Sequence, residues 1–353
     1  MTLRRCGQFL FSLIWIAAGP LVLAAAPDLS RFQTMLEKHA GLDRESVEKL
    51  QARRVVARLL ETRKASEVAC LGAAVIAVRR EYFLSQFRDI VNFKKGPEVL
   101  QVGILGRLPT VSDVQKLNLT QADIEALNVC RPGDCKVKLS VPMMAQISKR
   151  MRDSQPVSDR GDAAFRAALV DYVRRYLSDG DRALVCYASE RPEVCVANVL
   201  NELLDEFSLL QEYAPGLYGH LEGSRPVPTE GPDSFLYWSE ERFGPLKPIV
   251  SVTQVMIHSK ELDGAPWSFI ASKQIYASHY FRASLGLTVL VDIGQGSVLM
   301  LYFNRSEFDG LGGWLGAVKR AIVRHQLRSG MEQNVARLRT KLEQSYRHAE
   351  RPE

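Results

Sequence analysis

Two short clusters hold the residues best suited to chemistry. Tyr276, His279 and Tyr280 set an imidazole among phenols, and Asn304, Arg305 and Asp309 set a guanidinium close to a carboxylate. An imidazole titrates near neutrality, so His279 can serve as a general acid or base or can contact a polar ligand. Arg305 can stabilise an anion. The same residues have a quieter reading, with His279 hydrogen-bonded in a core and Arg305 paired with Asp309 to hold a turn. No nucleophile or metal-ligating neighbour accompanies them, so they do not form a catalytic set. The chain lacks GxSxG, HExxH, P-loop, CxxC and CxxCH motifs. Gly310-Leu-Gly312-Gly313-Trp-Leu-Gly316 superficially matches a dinucleotide turn, but the chain ends before the parallel strand that unit requires. Glu240-Glu241 and the group Glu202, Asp205 and Glu206 read as solvated acids. Neither a metal nor a cofactor is expected.

The remainder of the chain limits where such groups can act. Arg4 and Arg5, the apolar stretch Phe9 to Leu23 and small residues at Val22 to Ala26 make residues 1–26 an export leader. Cleavage after Ala24 fits better than after Ala26, and an uncleaved anchor is the alternative. The stretch is shorter than the roughly 20 residues a span needs, and Gly19-Pro20 interrupts it. An exported, periplasmic protein is expected. Its 46% hydrophobic residues suit a sizeable core. The net charge of +6, without interleaved aromatic and basic residues, does not point to nucleic acid. Residues 311–353 carry nine Lys or Arg against four Glu. This basic helix is either a solvated face or a surface for anionic lipid.

Export makes disulfides plausible. Cys130-Arg-Pro-Gly-Asp-Cys135 contains a turn that brings its sulfurs together, and Cys186 with Cys195 is a second pair. Cys70, in an apolar run, reads as a buried free thiol.

Residues 27–66 read as N-terminal helices, the second capped by Asp43 and continuing through Val55, Leu59 and Leu60 to Lys64. Glu67 to Val78 reads as a strand, Glu81 to Val91 as a helix and Glu98 to Leu105 as another strand. Short helices are expected at Ser112 to Leu117 and Thr120 to Leu127. From Pro142 to Tyr218 two apolar stripes, Phe165 to Leu177 and Val196 to Leu210, indicate packed helices. The sheet then resumes near Pro248 with Ile249 to His258, Trp267 to Tyr276, Leu285 to Asp292 and Val298 to Phe303. In the last strand Val298, Met300 and Tyr302 point one way, and Leu299, Leu301 and Phe303 the other. A long amphipathic helix after Gly313 ends the chain. Phe308, Leu311, Trp314 and Leu315 would form an apolar lip able to touch a bilayer.

This α+β order resembles the helix-grip fold of the START-like lipid-transfer superfamily. The resemblance lies in Glu67 to Leu105, with Val75-Ile76-Ala77-Val78 followed by Tyr82 to Asn92, and in Ile249 to Leu342. It implies a START-like domain over residues 67–353, with a curved antiparallel sheet closed by the C-terminal helix around an apolar ligand. A mostly helical insertion at about 113–244 is the departure. The function expected is binding or transfer of a lipid or other hydrophobic molecule, with Tyr276, His279, Tyr280, Tyr302 or Arg305 orienting its polar group. The alternatives are a structural or partner-binding protein acting through the helical insertion, and an enzyme using His279 in the same cavity.

Overall fold

The computed structural model describes residues 27–153, 160–189, 191–223, 233–310 and 316–350, with side chains of the last helix from 328 onward. The leader and the lip residues Leu311, Trp314 and Leu315 lie outside the described residues.

Helices α1 (Gln33–Ala40) and α2 (Arg44–Gln51) open the fold, and Asp43 caps α2 by accepting from the Ser46 N–H at 2.9 Å. The helix expected to run on to Lys64 ends there. Val56–Leu59 is instead strand β1, paired antiparallel with residues 70–73. Strand β2 (Glu67–Ile76), helices α3 (Arg80–Arg88) and α4 (Ile90–Phe93), and strand β3 (Val99–Leu105) follow. A 3-10 turn at Val111–Val114 stands where the first short helix was expected. Thr120 caps α5 (Gln121–Val129), with α6 (Val141–Asp153) and α7 (Arg160–Asp179) beyond. A small hairpin, β4 (Cys186–Tyr187) and β5 (Val194–Cys195), precedes α8 (Val196–Leu204), α9 (Ser208–Tyr213) and α10 (Pro215–Leu221).

The sheet resumes earlier than expected, at β6 (Ser234–Glu241), so residues 113–244 are not wholly helical. Strands β7 (Ile249–Leu262), β8 (Ala265–Ala277), β9 (Phe281–Asp292) and β10 (Val298–Phe308) lead to α11 (Gly316–Ala349). Asp263-Gly264 and Gly294-Gln295-Gly296, all at positive φ, turn the chain between strands. The fold is therefore α+β, with one antiparallel sheet of eight strands in the order β1-β2-β10-β9-β8-β7-β6-β3.

Both faces of the sheet are covered. Leu299, Leu301 and Phe303 join a core with the N-terminal helices and α5 to α10. The Phe165 and Val196 stripes are buried there, so both are spent on the sheet. Val298, Met300 and Tyr302 face the other way, toward Phe83, Leu84 and Phe87 of α3 and Met331, Val335 and Leu342 of α11. We call this the inner face. Two disulfides, Cys130–Cys135 and Cys186–Cys195, brace adjoining loops, and the Gly133 N–H donates to Ala188 O at 2.7 Å between them. They fit an oxidising, exported environment. Cys70 is free and buried. Among the described residues no helix is long and apolar enough to cross a membrane.

Helix α11 sits against β2 because Gly72 has no side chain. A Cβ at Gly72 would lie 2.6 Å from Val335 Cγ2 and 2.9 Å from Met331 Sδ. The Gly72→Val variant should therefore lose about 1–3 kcal/mol of stability through overpacking. Urea denaturation measures that loss. Trypsin should also cut faster at Arg337, Arg339 and Lys341, and unchanged cleavage would mean that α11 does not depend on this contact.

Candidate ligand-binding site

Strand alternation and cross-strand register assemble one surface on the inner face. Thr288 lies between Ile270 and Tyr302, Gly286 between Ser272 and Asn304, and Ser284 between Gln274 and Ser306. Thr253 stands opposite Gln274 and Val255 opposite Ser272. One half of this face is apolar, with Val255, Ile257, Ile270, Leu290, Val298 and Met300. The other half is lined by hydroxyls and an amide. Two parts of it are already hydrogen-bonded. Ser239 Oγ donates to Glu241 Oε1 at 2.6 Å and lies 3.1 Å from Ser251 Oγ. Ser306 Oγ lies 2.8 Å from Ser284 Oγ and 2.9 Å from Asn304 Oδ1.

Between them, Thr253, Ser272, Gln274, Thr288 and Tyr302 make no side-chain hydrogen bond among the described residues, and Gln274 Oε1 is buried without a partner. Leaving such a group unmatched costs about 1–3 kcal/mol. Gly286 lies at the centre, where a Cβ would be in ordinary contact with Ser272 at 3.5 Å and Tyr302 at 3.6 Å.

The charged groups on this side form a pair. Lys94, directly after α4, places Nζ 2.7 Å from Glu241 Oε1 and 5.1 Å from the centre of the Tyr237 ring. Burial alone would lower the Lys94 pKa, but Tyr237 and Glu241 outweigh it and hold it above its ordinary value. Burial likewise opposes ionisation of Glu241, yet Lys94 and Ser239 keep its carboxyl below the usual range. The pair is thus ionised and neutral in sum. Burial raises the Tyr302 phenol, which stays a hydrogen-bond donor, and pushes the Cys70 thiol up to about 12, so Cys70 is no nucleophile.

The residues singled out in the sequence do not converge on this surface. Only Tyr302 belongs to it. Tyr276 is on the opposite face, donating to Lys138 O at 3.0 Å among Phe165, Tyr172 and Tyr187. His279, at the β8–β9 turn, has Nε2 3.2 Å from Asp123 Oδ2. That carboxylate also meets Thr120 Oγ1 at 2.8 Å and Lys247 Nζ at 3.0 Å. Burial would raise the Asp123 pKa, but these partners bring it down to about 2. Tyr280 adopts φ +60° and accepts from the Lys247 N–H at 3.2 Å. Arg305 faces the outer helices, pairing with Glu67 at 2.5 Å and Glu206 at 3.5 Å beside a cleft of about 230 Å³. It does not pair with Asp309, which instead meets Lys138 at 2.5 Å and Arg282 at 3.2 Å. The half-buried Phe308 ring packs 4.5 Å from Phe281. Among the described residues no group of His, Cys, Asp and Glu could hold a metal.

Sequence reasoning missed Lys94, Tyr237, Glu241, Ser272, Gln274, Gly286 and Thr288. The usable signal was alternation. Ser268, Ser272 and Gln274 interleave with apolar residues on β8, and Gly286 and Thr288 do so on β9. No known protein-family profile matches the chain, and no curated protein matches its sequence.

Removing one member of the Lys94–Glu241 pair should cost more than removing both. Lys94→Met leaves a mostly buried carboxylate unpaired, an expected loss of about 1–3 kcal/mol. Adding Glu241→Gln should restore most of it in denaturant titrations. The pH dependence has a defined sign. In the native protein Glu241 contributes stability above its unfolded pKa of about 4.3, and this is lost as pH falls through the depressed folded value. Lys94 contributes below about 10.4, and this is lost as pH rises through its raised value. In Lys94→Met the deficit should shrink as pH falls, because the desolvated Glu241 without Lys94 protonates at a higher pH than in the native pair. A deficit constant with pH would contradict the pairing.

Proposed function

We propose that the protein binds an amphipathic hydrophobic molecule, in the class of lipids, between the inner face of the sheet and the helices over it. The observation that carries this reading is the uncommitted polar set Thr253, Ser272, Gln274, Thr288 and Tyr302, next to an apolar half-face. Hydrocarbon would be buried against Val255, Ile270, Leu290 and Met300, each CH₂ contributing about 0.8 kcal/mol. The polar end would lie over Gly286, donating to Gln274 Oε1 and accepting from the hydroxyls.

The order of elements supports a helix-grip, START-like reading. A strand, helix and strand unit from β2 to β3, the four strands β7 to β10 and a long helix after β10 are the elements that resemblance implies, and β6 adds a strand it did not include. On this reading β1 extends the sheet at one edge, and α5 to α10 are an insertion covering the outer face. The disulfides support a periplasmic carrier. Lip residues at Phe308 and beyond, with the basic C-terminal helix, would bring it to a bilayer for uptake.

Native mass spectrometry of the protein purified from the periplasm, followed by organic extraction, should find a co-purified hydrophobic molecule near one per chain. Gly286→Leu sets a bulky side chain between Ser272 and Tyr302, and the ligand mass should fall at least about tenfold while the circular dichroism spectrum is retained. Tyr276→Phe, on the opposite face, should leave it unchanged. A protein that is empty and takes up no lipid from liposomes would overturn the reading.

A further inference from the structure

The two edges of the sheet are treated very differently. At one edge β1 is only four residues long, includes Arg58 and follows Arg53 and Arg54. The Arg53 carbonyl there accepts a hydrogen bond from Arg339 of α11. Short, basic and capped, that edge is protected against adding another strand. The other edge, β3, has no strand on its free side and carries a bulge between Val99 and Gln101. Its seven residues, Val-Leu-Gln-Val-Gly-Ile-Leu, include no charge and no proline, and it pairs only with β6.

Exposed apolar side chains gather along the same edge. Leu100 and Ile104 lie on β3, Leu108 and Val111 just after it, and Phe243 and Leu246 in the loop beside its start. Among the described residues only Val129 and Val141 are large, apolar and exposed elsewhere. That loop is tied to the edge by the Arg242 N–H donating to Glu98 O at 2.8 Å. An open strand without charge or proline, flanked by apolar residues, is the feature that folds otherwise avoid.

We infer that β3 pairs with β3 of a second copy, giving a twofold dimer with one continuous sheet. The sequence of the edge favours this occupant because it complements itself in antiparallel register. With the axis at Val102, Leu100 stands opposite Ile104 of the other copy and Gln101 opposite Gly103. The apolar residues thus meet in cross-strand pairs of the kind that stabilise sheets. Charge agrees with that register. Glu98, which lies 3.2 Å from Arg337 of its own chain, precedes the strand and the exposed Arg107 follows it, so the antiparallel arrangement brings opposite charges near one another at each end. A parallel arrangement would set like charges together. The pairing leaves the inner face unobstructed and does not depend on ligand binding.

Sedimentation velocity of the full-length protein at micromolar concentration should give a dimer. Ile104→Lys replaces a residue that is 41% exposed. It should therefore keep the circular dichroism spectrum while weakening the dimer more than about tenfold. Val102→Cys tests the register directly. It should form a disulfide-linked dimer under oxidising conditions, whereas Val129→Cys, exposed but distant, should not. A protein that stays monomeric at every concentration would overturn the inference. So would a dimer that persists in Ile104→Lys and fails to link through Cys at 102.

Discussion

The antiparallel ladder between β2 and β10 is the contact on which the rest of the fold depends. It joins Glu67–Ile76 to Val298–Glu307 over ten residue pairs and so closes more than two hundred residues of chain. Loop-closure entropy rises only with the logarithm of length, so a ladder this long can offset it. Everything at that end of the sheet is built on it. Helix α11 rests on Gly72 of β2, and β1 adds to the far side of the same strand. The Arg305–Glu67 pair lies within the ladder. Burial there raises the Glu67 pKa despite Arg305, so desolvation outweighs the attraction. Such a pair adds little stability, but it disfavours a one-residue slip, which would move Arg305 to the inner face and exchange the two apolar sets.

That constraint gives the two faces different fates. The outer face is largely apolar from β6 to β10, holds the buried Lys273–Asp181 and Arg305–Glu67 pairs, and is filled by helices. On the inner face, the apolar packing among the described residues is joined by a polar part. Threonine, serine, glutamine and tyrosine side chains occupy positions where valine or leucine would continue the core. Thr253 and Thr288 are buried and Ser272, Gln274 and Tyr302 half-buried, and a buried polar atom such as Gln274 Oε1 is unfavourable unless a polar partner is present. No strand pairing requires them, because the backbone ladder is complete without their hydroxyls. Gly286 sits in a central strand, with Ser272 and Tyr302 at ordinary contact distance from where its Cβ would be. On the proposed reading, this glycine and the acceptor Gln274 Oε1, buried without a partner among the described residues, mark a ligand site rather than a core.

Much of the architecture was legible because it rests on local periodicity. The caps at Asp43 and Thr120, the four strands after Pro248 and the two-faced alternation of β10 all follow from short-range rules. Strand β1 was missed because Val55, Leu59 and Leu60 recur at helical steps, and only pairing with β2 decides otherwise. Strand β6 was missed because Glu240 and Glu241 end it, and adjacent acids read as solvated. Here Glu241 is neutralised by Lys94, which arrives from α4 almost 150 residues earlier. The candidate site was mostly illegible for a geometric reason. Tyr302 and Arg305 are three positions apart, so strand alternation sends them to opposite faces. Tyr276 follows a register shift between β8 and β7, with Ile275 as the extra residue, that takes it to the outer core.

The placement of α11 carries the argument one step further. Its C-terminal half is tied down at many points. Glu343 accepts from the Ala77 N–H, Lys341 donates to the Asn92 carbonyl, and Arg79 meets Tyr346 and Glu350. All these partners lie on or between β2 and the α3–α4 pair. The polar half of the inner face lies across β7 to β10, beyond those ties. On the proposed reading, a molecule entering there would meet hydroxyls and the amide of Gln274 without breaking those hydrogen bonds. The two ends are not independent, because Gly72, on which α11 rests, stands opposite Tyr302 in the β2–β10 ladder.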